Sequence, residues 1–249
     1  MRNIWIIAKR EFNHYFISPL AYAVGFVILF ILGFIFAVII WSAGQQALYG
    51  YPGVPDLSAI TYWFSILLWI LVPALTMHLL SDETRSGTIE LLLTAPVRDY
   101  ELIIGKWLGS LFFLLTIIAI TLVYPLILNN LVSPGIDQQL LIASYLGLIL
   151  MAAAFLALGV GISAVFSNPI AALAVTFFTL FSLWLLIGIP ANFVPGSGAE
   201  LFRYLDVKSH FNDTLNVGVI NLSDLVYFFS LIALGLFTGT TAVEIRRWR

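Results

Sequence analysis

The sequence predicts an all-α polytopic membrane protein with six transmembrane helices, and three observations predict it. First, 61% of its 249 residues are hydrophobic and 10% charged, with a mean hydropathy of +1.03, whereas a soluble domain carries about 25% charged residues. Second, six runs reach the roughly 20 mostly apolar residues needed to cross about 30 Å of hydrocarbon: 20–43, 59–80, 106–128, 139–166, 169–189 and 223–243. Third, nine of the eleven basic residues fall on one side of a six-span arrangement: Arg2, Lys9, Arg10, Arg85, Arg98, Lys106, Arg246, Arg247 and Arg249. Only Arg203 and Lys208 fall on the other. An even number of spans puts both termini on one side, and the excess of Lys and Arg assigns that side to the cytoplasm.

Residues 1–17 read as an amphipathic helix along the inner membrane surface. At about 100° per residue, Ile4, Trp5, Ala8, Phe12, Tyr15 and Phe16 share a sector, with Arg2, Lys9 and Asn13 opposite. Ile6 and Ile17 interrupt the polar side, and the helix should end before Pro19. The small-x-small triplet Ala21-Tyr22-Ala23 precedes the first apolar run instead of following it, so no cleavable signal is expected. Within the spans the only formal charges are Lys106 and Asp224. Each lies near a span end, where it is expected to reach the interface, and no buried ion pair is expected. Residues 138–199 hold no charge over 62 positions, which is too long for one helix. Ser167-Asn168-Pro169 is the natural break, with a single kinked helix as the alternative.

The loop 81–105 is the most informative segment. Asp82, Glu83 and Arg85 form a charged exit from the second span. Ser86 or Thr88 can cap a short helix with Glu90 in its first turn. Ile89, Leu92 and Leu93 give it one apolar side, Pro96 closes it, and Asp99 can cap the helix of the third span. The apolar side needs cover, from lipid, from neighbouring helices or from a cytoplasmic protein. The loop 190–222 opens with the breakers Pro190, Pro195, Gly196, Ser197 and Gly198. Phe202, Leu205 and Phe211 then stand among charges, which suggests a half-buried helical piece at the outer interface, a re-entrant element or a surface loop.

Chemistry is not encoded in this chain. The absence of Cys excludes disulfides, thiolate zinc sites and Fe–S clusters, and a net charge of −2 with scattered bases leaves no nucleic-acid footprint. Gly161-Ile162-Ser163-Ala164 resembles the Gly-x-Ser turn of membrane serine proteases. The base that such a turn requires is missing, because His14, His78 and His210 all lie outside the later spans; Ser163 therefore reads as a packing position. His78 reads as an interfacial side chain that packs or snorkels. Gly105-Lys106 lacks the rest of a phosphate-binding loop, since Trp107 stands at its Ser/Thr position and Tyr100 at its first Gly. No catalytic, cofactor-binding or metal-binding residue is expected. Gly159-x-Gly161, Gly105-x-x-x-Gly109 and Gly235-x-x-x-Gly239 offer smooth surfaces for close helix contact.

In order, these pieces resemble a permease subunit of the ABC-2 type of ATP-binding-cassette transporters. The resemblance rests on Asp82-Glu83-x-Arg85-x-Gly87-Thr88-x-Glu90-Leu91-Leu92-Leu93-x-x-Pro96, with Gly105-Lys106 heading the third span. Ser209-His210-Phe211, Gly218-Val219-Ile220 and Ser223-Asp224-Leu225-Val226-Tyr227 also resemble that family, and the subgroup the chain most resembles is the permeases associated with bacterial gliding motility and their relatives. The resemblance implies that residues 1–17 are a connecting helix, that about 84–96 form a coupling helix seated on a separate ATPase, and that 190–222 hold short re-entrant helices. It assigns Glu83, Arg85, Gly87, Thr88, Ile89, Glu90, Leu92, Leu93 and Pro96 to shaping or docking the coupling element. It implies ATP and Mg on the partner ATPase with no cofactor in this chain, a second permease subunit of the same or another kind, a bacterial cell membrane, export, and an optional extracytoplasmic accessory protein. The rival readings are a non-transporting scaffold of a motility or envelope complex and an ATP-independent carrier, which would normally show inverted repeats or a mid-membrane ion pair.

Overall fold

The structure, a computed structural model, describes residues 2–50, 55, 57–87, 97–133 and 135–247, the side chain of Ser197 excepted. Every element among the described residues is helical. The helices are α1 (Arg2–Tyr15), α2 (Pro19–Leu48), α3 (Leu57–Thr76), α4 (Ser81–Arg85), α5 (Asp99–Thr121), α6 (Val123–Leu131), α7 (Gln138–Val165), α8 (Pro169–Phe181), α9 (Ser197–Leu205), α10 (Val207–Asn212) and α11 (Leu222–Arg247). Among the described residues, six stretches are long and apolar enough to cross a membrane: Pro19–Leu48, Leu57–Arg85, Asp99–Leu131, Gln138–Val165, Pro169–Asn192 and Leu222–Arg247.

The breaks follow from local chemistry. Phe166 and Asn168 adopt extended backbone, and the Asn168 side chain accepts from the Ile170 N–H at 2.9 Å with Pro169 in the first turn of α8. The uncharged stretch is thus two helices. Asp137 caps α7 by accepting from the N–H groups of Gln139 and Leu140. The third spanning stretch steps between α5 and α6 because Pro125 cannot donate to the Thr121 carbonyl. The Tyr145 hydroxyl donates to that carbonyl instead, at 3.0 Å. The start of α5 differs from the expected cap: the Glu101 carboxylate accepts from the Arg98 N–H at 3.1 Å, and Asp99 turns aside to pair with Arg247 at 2.8 Å.

One helix organises the rest. Nearly every residue of α7 from Ala143 to Gly161 is buried, with α3, α5, α8 and α11 packed around it. By contrast α2 and α8 expose large apolar side chains such as Phe26, Phe30, Phe34, Ile170 and Phe178, the pattern of helices that face lipid. Glycines set the closest approaches. A Cβ on Gly161 would lie 2.5 Å from the Gly235 carbonyl oxygen, so α7 and α11 touch backbone to backbone. Gly159 similarly receives Thr76 at the end of α3.

The contacts also divide the ends of the bundle into two faces. Arg247 reaches the start of α5, and Arg246 donates to the Val165 carbonyl at 2.9 Å. Both termini, α4 and the start of α5 therefore share one face, here the terminal face. On the far face, Asn216 hydrogen-bonds Thr61 and the Ser58 carbonyl, and Gln139 donates to the Gly218 carbonyl at 3.1 Å. The segment 197–217 folds as short helices with Phe211 and Leu215 fully buried against Gly147.

The N-terminal helix lies otherwise than its aromatic spacing predicts. Its buried face carries Ala8, Glu11 and Tyr15, and Trp5, Ile6 and Phe16 are exposed. The reason is α5: a Cβ on Gly105 would meet Ile7 at 2.7 Å, and one on Gly109 would meet Glu11 at 2.6 Å. The helix is seated on protein along this glycine pair. Overpacking typically costs about 1–3 kcal/mol, so Gly109→Leu should lift α1 from α5 while the bundle persists. In this cysteine-free chain, the thiol of an Ala8→Cys reporter, protected in the parent, should then react with a polar maleimide.

Candidate functional site

The second spanning stretch does not leave the bundle as continuous helix. α3 carries Pro73 and ends at Thr76, residues 77–80 turn, and α4 begins at Ser81. Such a break frees backbone groups that must find partners. The Leu75 carbonyl accepts from the Tyr15 hydroxyl of α1 at 3.1 Å. The N–H groups of Leu80 and Ser81 both donate to Ser163 Oγ of α7, at 3.2 and 3.3 Å, and the Ser163 hydroxyl lies 3.4 Å from the Met77 carbonyl. Burial pushes the Tyr15 hydroxyl well above its usual range, so it remains a donor. The junction is thereby stitched to α1 on one side and to the central helix on the other.

A buried ionic cluster ties the same junction to α5. Lys106, only 2% exposed, places Nζ 3.1 Å from Glu11 Oε1 and 2.8 Å from Glu83 Oε1. Arg10 adds a contact of 3.0 Å to Glu11 and lies 3.9 Å from Glu83. Burial by itself would raise the Glu11 carboxyl, but Lys106 first, and Arg10 beside it, hold it below its ordinary value of 4.5. His78 Nδ1 meets Asp82 Oδ2 at 2.7 Å on the rim. A cavity of about 620 Å³ opens here between α1 and the α3–α4 junction, with Arg10, His14, His78 and Asp82 along its edge.

Two expectations are overturned by this geometry. Lys106 and Asp224 do not reach the interface; each is 2% exposed and engaged in a buried pair, Asp224 with His210 on the far face. Glu11 and His210 come from outside the spanning stretches, so a count of charges within spans could not reveal these partners. Ser163 is more than a packing position, since it accepts the two N–H groups at the junction.

Among the residues singled out for coupling, Glu83 points inward onto Lys106. Arg85 and Gly87 are exposed at the end of α4, and Gly87 takes a left-handed φ of 72° that suits a residue without a side chain. Thr88, Ile89, Glu90, Leu92, Leu93 and Pro96 lie outside the described residues. The sequence reading missed Glu11, Tyr15 and Ser163. The available signal was the register of Gly105 and Gly109, which can seat a helix whose stripe is Ile4, Ala8, Glu11 and Tyr15.

A family model described as ABC-2 family transporter protein matches residues 5–233. The chain belongs to this family. No curated protein matches it. As an ABC-2 permease subunit it is a multi-pass membrane protein that works with a partner ATPase. In this ABC-2 chain the short helix α4, which leaves the second spanning stretch, is held by α1, α5 and α7 together.

Removing one member of a buried ionic cluster strands the others and typically costs about 3–5 kcal/mol. Lys106→Ala should accordingly lower the detergent-solubilised thermal midpoint sharply, and adding Glu11→Gln with Glu83→Gln should recover part of the loss. Because the folded-state pKa of Glu11 is lowered, its contribution is complete above 4.5 and is lost as pH falls through the lowered value. The excess stability of the parent over Glu11→Gln should therefore close on acidification below that pH, as read from thermal midpoints across a pH series.

Proposed function

We propose that this permease subunit exports its cargo by borrowing motion from a cytoplasmic ATPase seated on residues 84–96. The observation that carries the reading is the triple attachment of the α3–α4 junction: Glu83 to Lys106, the α4 start to Ser163, and the Leu75 carbonyl in the last turn of α3 to Tyr15. A push on the segment after α4 is delivered at once to α1, α5 and the central α7. A motion shared by packed helices is the rigid-body kind that interfaces transmit. In this reading Glu83 holds the element in place. Arg85, Gly87, Thr88 and Glu90 shape or contact the partner surface, and Ile89, Leu92 and Leu93 supply the apolar knob closed by Pro96. The ATPase binds ATP and Mg.

The wider assembly follows from the same reading. Two permease subunits, identical or paired with a related chain, stand over two ATPase subunits in a bacterial cell membrane. The terminal face, with eight of the ten bases among the described residues, is cytoplasmic, and an extracytoplasmic accessory protein is accommodated on the far face. Within the family, the reading places the chain nearest the permeases associated with bacterial gliding motility. The test is co-purification in mild detergent from cells expressing the chain with its native partners. The parent should bring down a chain bearing the GxxxxGK[ST] motif. Ile89→Asp or a Glu90→Lys reversal should reduce its recovery severalfold with membrane insertion intact. Undiminished recovery and undiminished ATPase stimulation in both variants would overturn the docking assignment.

A further inference from the structure

On the far face His210 is enclosed in a way that decides its hydrogens. Its Nδ1 lies 2.7 Å from Asp224 Oδ1 and its Nε2 lies 2.8 Å from the Tyr204 backbone carbonyl. The ring stacks on Tyr227 with centroids 4.1 Å apart and meets Tyr204 edge-on at 5.2 Å. The His210 side chain is 8% exposed and that of Asp224 2%. A backbone carbonyl only accepts, so Nε2 must carry a hydrogen. The remaining hydrogen bond, Nδ1 to Oδ1, then needs one further proton. It sits either on the imidazole beside a carboxylate or on the carboxyl beside a neutral imidazole. Both arrangements leave the pair neutral overall, as burial requires. Without that proton, one nitrogen lone pair faces an acceptor: Nδ1 against Asp224, or Nε2 against Tyr204 if the ring hydrogen moves. Among the described residues, Asp224 Oδ2 is also buried with no hydrogen-bond partner.

We propose that His210 and Asp224 form a binding site for a single exchangeable proton, which latches α10 to the last spanning helix, and that loss of the proton frees the far-face segment. The latch lies where its release matters. His210 precedes Phe211, which packs on Trp184 with centroids 6.4 Å apart and fills the groove at Gly147. The Thr214 hydroxyl donates to the His210 carbonyl at 2.5 Å, and Asn216 beyond it is bound to the start of α3. The proton thus joins α11 to a segment that reaches α3 and α7. The titratable groups around it are Tyr204 of α9, Asp206 between α9 and α10, Lys208 and Asp213 at the two ends of α10, and Tyr227 of α11. Burial raises the Asp206 carboxyl from its usual value, and neither Gly147 of α7 nor the Trp184 indole against Phe211 carries a titratable group.

Asn at position 224 separates this site from its neighbours. Its amide can donate to Nδ1 while a neutral His210 donates through Nε2 to Tyr204, so the latch would hold with no titrating proton. The experiment places spin labels at Lys208→Cys and Gln138→Cys, both exposed, in this cysteine-free chain in lipid nanodiscs, and measures their distance distribution from about pH 5 to about pH 10. The parent should give a narrow distribution at acid and neutral pH that broadens to longer distances as pH rises. Asp224→Asn should stay narrow throughout, and His210→Ala should be broad throughout. A parent that stays narrow over the whole range, an Asp224→Asn chain that follows the parent's pH profile or is broad at neutral pH, or a narrow His210→Ala chain would each overturn the proposal.

Discussion

A lysine ammonium sealed from water at the edge of a membrane must be neutralised, and the terminal face of this protein is built around that requirement. Lys106 is the one charged residue of α5 beyond its first turn, and its charge is matched by carboxylates from two other elements, Glu11 and Glu83. Desolvation makes the cluster unforgiving: with all members present the charges are balanced, and with one removed a charge is stranded. The N-terminal helix, the exit of the second spanning stretch and the head of the third are consequently held in one geometry. Stability alone would not require such an arrangement, since an apolar contact would serve as well. Its distinguishing property is that it joins elements far apart in sequence at one point.

The central helix α7 carries that arrangement inward. Ser163 receives the N–H groups freed at the α3–α4 junction, one turn beyond the glycines that let α11 and the end of α3 approach its backbone. Small residues give close contact between helix backbones, so α11 and the end of α3 lie directly on α7. At the other end of the same helix, Gly147 takes Phe211 and Leu215 of the far-face segment. One buried helix is therefore in contact with both the element that leaves the terminal face and the segment that closes the far face.

The two faces use related chemistry for different ends. The terminal face holds a lysine whose attraction to two carboxylates is charge on charge. The far face holds a histidine and an aspartate in which the same neutrality is reached with a proton between them. Both depend on burial, which makes an unbalanced charge costly, and both gather side chains from elements separated by a spanning helix or a loop.

Much of the architecture was legible in the sequence, because crossing a bilayer needs length and apolarity, and both are local properties. Six apolar runs, the break at Asn168-Pro169, and the glycine pairs could all be read along the chain. Asp99 illustrates where local reading stops: it stands where a cap is wanted, yet Glu101 takes that place and Asp99 turns to Arg247. Similarly α1 was legible as a helix with an apolar sector, but its buried stripe was decided by the glycine groove of α5, which admits Glu11 and leaves Trp5 outside. The sequence by itself determined the number of apolar spans and the family motif of the loop, since each is written in consecutive residues. Only the tertiary structure decided the partners of Lys106, Asp224 and Ser163. A buried polar group is satisfied by whatever folding brings within about 3 Å, and no spacing along the chain encodes that distance.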